Sequence, residues 1–187
     1  PTLGSVQDYR SGLARSLGYP APGIAVLDEG GKLLPAAREI AALVREAGAV
    51  LATGHTTAAE HYAVVREFAR GTRVLVTHAG GRSAGPALSP DQCRELALLG
   101  ATIELTAQSC SPVLGTAPDK TLPEMLAMIE AIGPASCTLA SDYGWSDALP
   151  HPAAGLRDFF DVLWTQGVPE PQLIRMARDN PARLLGI

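Results

Sequence analysis

The sequence predicts an α/β protein with a parallel sheet and helices packed outside it. Three observations carry this reading. Short apolar runs begin near residues 49, 73, 101 and 137. Longer segments with apolar residues at helical spacing lie between them, opened by capping signatures and closed by glycine. The runs are near-continuously apolar, as strands covered on both faces of a parallel sheet are.

Taken in order, Ser5 to Leu17 reads as a helix ending at Gly18, and Gly23 to Leu34 as a small hairpin around Gly30-Gly31. Ala36, Ala37, Ile40, Leu43, Val44 and Ala47 form one apolar helical face that stops at Gly48. Ala49 to Thr53 is a short buried strand. Thr57 with Glu60 is a capping box for a helix running to about Arg70, stopped by Gly71. Val74 to Thr77 is a second strand. Ser89-Pro90-Asp91-Gln92 supplies an N-cap, a proline at the first helical position and a capping glutamine. Ala101 to Leu105 is a third strand, Thr121 to Glu124 caps the next helix, and Cys137 to Ser141 is a fourth strand. Helices over 155–166 and 170–178 and a short helical turn from Pro181 to Leu185 complete the chain.

With 187 residues the chain reads as one α/β domain over 1–187, long enough to bury a core without staples. A net charge of −4 leaves no basic footprint for nucleic acid. Cys93, Cys110 and Cys137 are odd in number and include no C-x-x-C, so a reducing, cytoplasmic setting is expected. No apolar run is long enough to span a membrane, and no signal peptide is visible. The chain opens at Pro1 without a methionine, and the sequence leaves open what lies upstream.

Three polar residues occupy the same relative place. His55 follows the first strand after one glycine, His78 follows the second directly, and Asp142 follows the fourth directly. In a parallel sheet all three gather at the C-terminal ends of the strands, the functional face of such folds. Two imidazoles and a carboxylate suit zinc or another divalent ion. Each has a plainer alternative: a strand-end histidine can be a hydrogen-bonding residue, and an aspartate an N-cap. Joint placement is the stronger signal.

Glu104 interrupts the third strand and faces either the barrel interior, as a substrate-binding, ligand-orienting or proton-transfer group, or a buried arginine. His151 and Arg82 stand in loops at the same end, where His151 would meet substrate and Arg82 an acidic substrate group, although a plain surface role fits His151 as well. Gly80-Gly81-Arg82-Ser83 lacks the spacing of a phosphate loop. His61 reads as solvent-exposed on its helix. Cys110 reads as a structural thiol with no activating neighbour. Tyr143 and Trp145 are weak candidates for a pocket wall.

Thr53-Gly54-His55, Val76-Thr77-His78, Ala140-Ser141-Asp142 and the tail Asn180-Pro181-Ala182-Arg183-Leu184-Leu185-Gly186 resemble the amidohydrolase superfamily over about residues 45 to 187. The resemblance implies a TIM-barrel-like (β/α)8 fold, of which this chain is the C-terminal portion. It implies that His55, His78 and Asp142 bind a divalent metal, most simply zinc, with Asp142 also shuttling a proton. The family's first-strand His-x-His pair does not occur here, and its bridging lysine or glutamate is not identifiable. Four strands cannot close an eight-stranded barrel. A half-barrel exposes two sheet edges and an apolar interior, so a second copy or an N-terminal portion is the expected partner.

Three functions follow in order. The first is a metal-dependent hydrolase that directs a metal-activated water at an amide, cyclic amide or ester bond of a small molecule. The second is a decarboxylase of the same superfamily, in which Arg82 or Arg157 would read substrate charge. The third is a non-catalytic half-barrel that serves as a binding module.

Overall fold

The computed structural model describes residues 24–82, 85–111, 117–145, 147 and 149–187. The helix expected over Ser5 to Leu17 lies outside them. Four strands form one sheet: β1 (Val50–Ala52), β2 (Arg73–Val76), β3 (Thr102–Thr106) and β4 (Cys137–Ala140). Their order is β1-β2-β3-β4, and every pair is parallel. Spatial order follows chain order with no reversal. That is the winding of a (β/α) barrel, in contrast to a doubly wound sheet, whose strand order turns back on itself.

Helices connect the strands: α1 (Pro35–Glu46), α2 (Ala58–Phe68), α3 (Pro90–Leu98), α4 (Leu122–Ile132) and α5 (Pro152–Thr165), followed by α6 (Glu170–Ile174) and α7 (Asn180–Leu185). All three capping boxes expected from the sequence form. Thr57, Ser89 and Thr121 each accept from the backbone three residues on, and Glu60, Gln92 and Glu124 each reach back to the cap. A tight antiparallel turn precedes α1. Leu27 bridges Leu33, and Leu34 N–H donates to the Val26 carbonyl at 2.9 Å.

The end of the chain departs from the simple helix expected over 170–178. A π-helical turn spans Arg175–Asp179 between α6 and α7. Asn180 follows that turn directly. Its buried amide donates to the carbonyls of Pro134 at 2.7 Å and Cys137 at 2.6 Å, tying the C-terminal helices to the start of β4. The fifth helix also starts earlier than expected, at Pro152, because His151 caps it and Pro152 suits its first position.

The core lies between the sheet and the helices. Val74, Val76, Ile103, Leu105, Cys137 and Leu139 bury against Val65, Leu96, Met125, Met128 and Leu163. Burial alternates along β2 and β3 instead of running continuously. The row pairing Ala52 with Leu75, and Leu75 with Thr102, occupies the other face, which is exposed or half-buried. In a closed barrel that face is filled by side chains from the remaining strands.

Candidate functional site

Three of the four strands end in a backbone kink that the chemistry of L-residues rarely allows. Gly54, one residue before His55, has φ 65°. His78 sits at φ 40° and Asp142 at φ 57°. Non-glycine residues cost on the order of 1–3 kcal/mol in such conformations, and they persist where the surroundings over-determine them. Here each kink turns the chain as it leaves the sheet.

The kinks bring the three side chains together. The rings of His55 and His78 lie with centroids 4.7 Å apart, tilted by 53°. His78 Nε2 lies 3.7 Å from Asp142 Oδ2. His55 is buried, while His78 and Asp142 keep 17% and 29% of their side chains exposed, so the group opens to solvent at the sheet mouth. Burial pushes the Asp142 carboxyl up to about 6, with the charge of His55 pulling the other way.

Glu104 stands behind His78. Its Oε2 accepts from the His78 backbone N–H at 3.1 Å, and its own carbonyl accepts from Ala79 N–H at 3.0 Å. No arginine pairs with it among the described hydrogen bonds; its partner is the backbone of the kink. Burial raises its carboxyl, and the hydrogen bond and charge of His78 oppose that. The geometry therefore gives Glu104 an orienting contact.

His61 corrects a sequence expectation. It is fully buried, not exposed. Its Nδ1 lies 3.4 Å from Thr56 Oγ1, and its Nε2 is the one buried side-chain nitrogen or oxygen without a hydrogen-bond partner among the described residues. Burial pulls its pKa down to about 4, opposed by Glu60 and aided by the charges of His78 and His55. The periodicity held the signal: His61, Val64, Val65 and Phe68 share one inward helical stripe.

Arg82 and His151 have local duties. Arg82 donates to Glu124 Oε1 at 2.6 Å and to the Asp119 carbonyl, and its backbone N–H donates to Asp119 Oδ2 at 2.8 Å. The turn after His78 thus holds a carboxylate of its own chain. His151 is exposed, and its Nδ1 accepts from Ala153 N–H at 3.3 Å as the cap of α5. Cys110 is half-buried, and burial pushes its thiol up to about 11, against the pull of Lys120. That is an unreactive thiol.

A depression of about 390 Å³ lies away from this group; Arg45, Gly48 and Arg73 line it at the opposite end of β1 and β2. In parallel barrels that end serves stability, and chemistry sits at the strands' C-terminal ends. Among the described residues no three His, Cys, Asp or Glu side chains already stand as a finished metal-binding set. The donors that do converge are two imidazoles and a carboxylate, with an orphaned imidazole nitrogen on the adjoining helix. Their chemistry fits a divalent transition ion, and an orphaned buried nitrogen is a common mark of an absent water or ion.

A parallel sheet wound in one direction, with its polar residues at the strand ends, defines a partial (β/α) barrel. Residues 1–104 match a family described as "Family of unknown function (DUF6282)", and the chain belongs to that family. No curated protein matches the chain. Among solved structures it is similar to a metallo peptidase from Rhodobacter sphaeroides liganded with a phosphinate mimic of the dipeptide L-Ala-D-Ala, at 17% identity and TM-score 0.61, over 83% of this chain and 47% of that one. It is similar to an amidohydrolase from Burkholderia multivorans at 14% identity and TM-score 0.58, over 82% and 58%. It is also similar to an organophosphorus hydrolase from Deinococcus radiodurans at 22% identity and TM-score 0.57, over 82% and 52%. The chain spans about half the length of these structures, and at such identities the likeness establishes the fold. No helix among the described residues is long and apolar enough to cross a membrane.

Proposed function

We propose that the chain is part of a metal-dependent hydrolase acting on an amide, cyclic amide or ester bond of a small molecule. The single observation that carries this is the convergence of His55, His78 and Asp142, from three separate strands, at the C-terminal end of a parallel sheet. The activities of the similar structures (a peptidase, an amidohydrolase, an organophosphorus hydrolase) support the same reaction class.

In this reading His55 and His78 hold the ion through imidazole nitrogen and Asp142 through its carboxylate, with zinc the ion best suited to these donors. When bound, the ion polarises the scissile carbonyl and makes water acidic enough to attack near neutral pH. Asp142 takes the proton of the attacking water on its carboxylate and returns it to the leaving group. Glu104 keeps His78 in register through the backbone bond at the kink. His151 and Arg82 lie in loops at the mouth, and Arg82 meets an acidic substrate group only by leaving Glu124. The open face and the outer strands β1 and β4 are completed by a second copy or by the rest of the barrel.

A second reading is favoured by one observation. The chain lacks a His-x-His pair and, among its described residues, a finished ligand set, as a non-catalytic binding half-barrel would. One experiment separates the two. Metal content is measured on purified chain loaded with zinc, for wild type and for His55→Ala, His78→Ala and Asp142→Ala. Turnover is then followed on dipeptides, cyclic amides and lactones. The hydrolase reading expects stoichiometric zinc lost in each variant, with activity lost alongside. A stable, metal-free assembly that turns over nothing supports the binding module.

A further inference from the structure

Asp142 occupies a left-handed backbone conformation, and the turn around it is fastened from several sides. Gln108 N–H donates to the Ser141 carbonyl at 3.1 Å, and Trp145 Nε1 donates to the Asp142 carbonyl at 3.1 Å. Tyr143, the next residue, supplies the most constrained fastening. Its hydroxyl lies 2.6 Å from Ser111 Oγ in the loop that follows β3. Ser111 has one hydroxyl proton, and it goes to the Ala107 carbonyl at 3.2 Å. The phenol therefore donates and the serine accepts.

The ring of Tyr143 lies against Gly155 of α5. A Cβ at position 155 would sit 2.1 Å from Tyr143 Cε2 and 2.3 Å from Cδ2. Glycine inside a helix weakens it relative to alanine, so what this glycine provides is room for the ring. Tyr143 thus links the β3 loop to α5 through the residue adjoining Asp142.

We propose that Tyr143 is a positioning residue: held between Ser111 and Gly155, it fixes the Asp142 carboxylate toward His78 for metal binding. The inference rests on the metal-site reading above. A strained backbone keeps its geometry only when neighbours over-determine it. Groups that orient a metal ligand change affinity by about 10–100-fold when removed. Tyr143 touches neither metal nor substrate and acts through Asp142.

The test is a zinc competition titration against a chromophoric chelator, run beside thermal melts, on the 187-residue chain. Tyr143→Phe and Ser111→Ala each remove one end of the same hydrogen bond. Each is expected to weaken zinc binding by about tenfold, with the double variant no weaker than either single and the melts nearly unchanged. Gly155→Ala is expected to lower both stability and affinity. Adding Tyr143→Ala to it removes the collision, so melting recovers while affinity stays low. If Tyr143 only filled space, affinity would recover with stability, and that result overturns the proposal. So does wild-type affinity in Tyr143→Phe. A wild-type chain that binds no zinc is a different outcome; it overturns the metal-site reading, and the proposal with it.

Discussion

His78 Nε2 lies 3.7 Å from Asp142 Oδ2, and both residues sit at positive φ. A carboxylate held at a strained, mostly buried position is poorly placed for stability and well placed for an ion. Asp142→Asn keeps the shape and removes the charge. The metal-free protein should gain on the order of 1–3 kcal/mol at pH 7, from a carboxyl that burial has raised to about 6. Zinc affinity should fall at least tenfold. Urea melts in chelator and a zinc titration read the two effects; lower stability together with unchanged affinity would contradict the assignment.

His61 and Asp142 give opposite pH dependences. The His61 imidazole titrates near 4 when folded and near 6.5 otherwise. Between those values the unfolded chain binds a proton that the native chain refuses, so this contribution is lost as pH falls, by about 1.4 kcal/mol per unit at most. Asp142 titrates near 6 when folded and near 3.8 otherwise. There the native chain binds the extra proton, and stability falls as pH rises; raised Glu104 adds to that side. Metal-free wild type should therefore lose stability gently as pH rises from 4 to 6, because His61 offsets only part of what the two raised carboxyls contribute. His61→Phe should lose stability as pH climbs through that window, and Asp142→Asn should gain it. Equal slopes in the two variants would refute the assignment.

Asn180 anchors the C-terminal helices by donating to two carbonyls. Asn180→Ala leaves both without that partner and should cost about 2–3 kcal/mol. Chemical denaturation measures this, and hydrogen exchange should quicken in α6 and α7 first.

Arg82 tests whether its ion pair is a latch or a substrate contact. The Glu124 carboxyl is held down to about 2, chiefly by the Thr121 backbone N–H and then by the Arg82 hydrogen bond. In Arg82→Ala, an NMR titration should find Glu124 shifted upward but still below an ordinary glutamate. If Arg82 also reads substrate, KM rises for acidic substrates and stays put for neutral ones.

Much of this protein was legible in one dimension. Strand and helix order, three capping boxes and the placing of His55, His78 and Asp142 after strands all follow from local rules: apolar period, cap chemistry and glycine stops. Those rules act within a few residues, so a sequence states them directly. Tertiary structure alone decided the rest. That His61 shares the stripe of Val64 and Val65 could be read from spacing, but how deeply it is buried and that its Nε2 lacks a partner depend on how α2 meets the sheet. The partnership of Glu104 with the His78 backbone, and of Tyr143 with Gly155 and Ser111, depends on strand register and on a helix approaching within van der Waals contact. Such contacts join residues far apart in the chain, and packing in three dimensions, not local propensity, selects them.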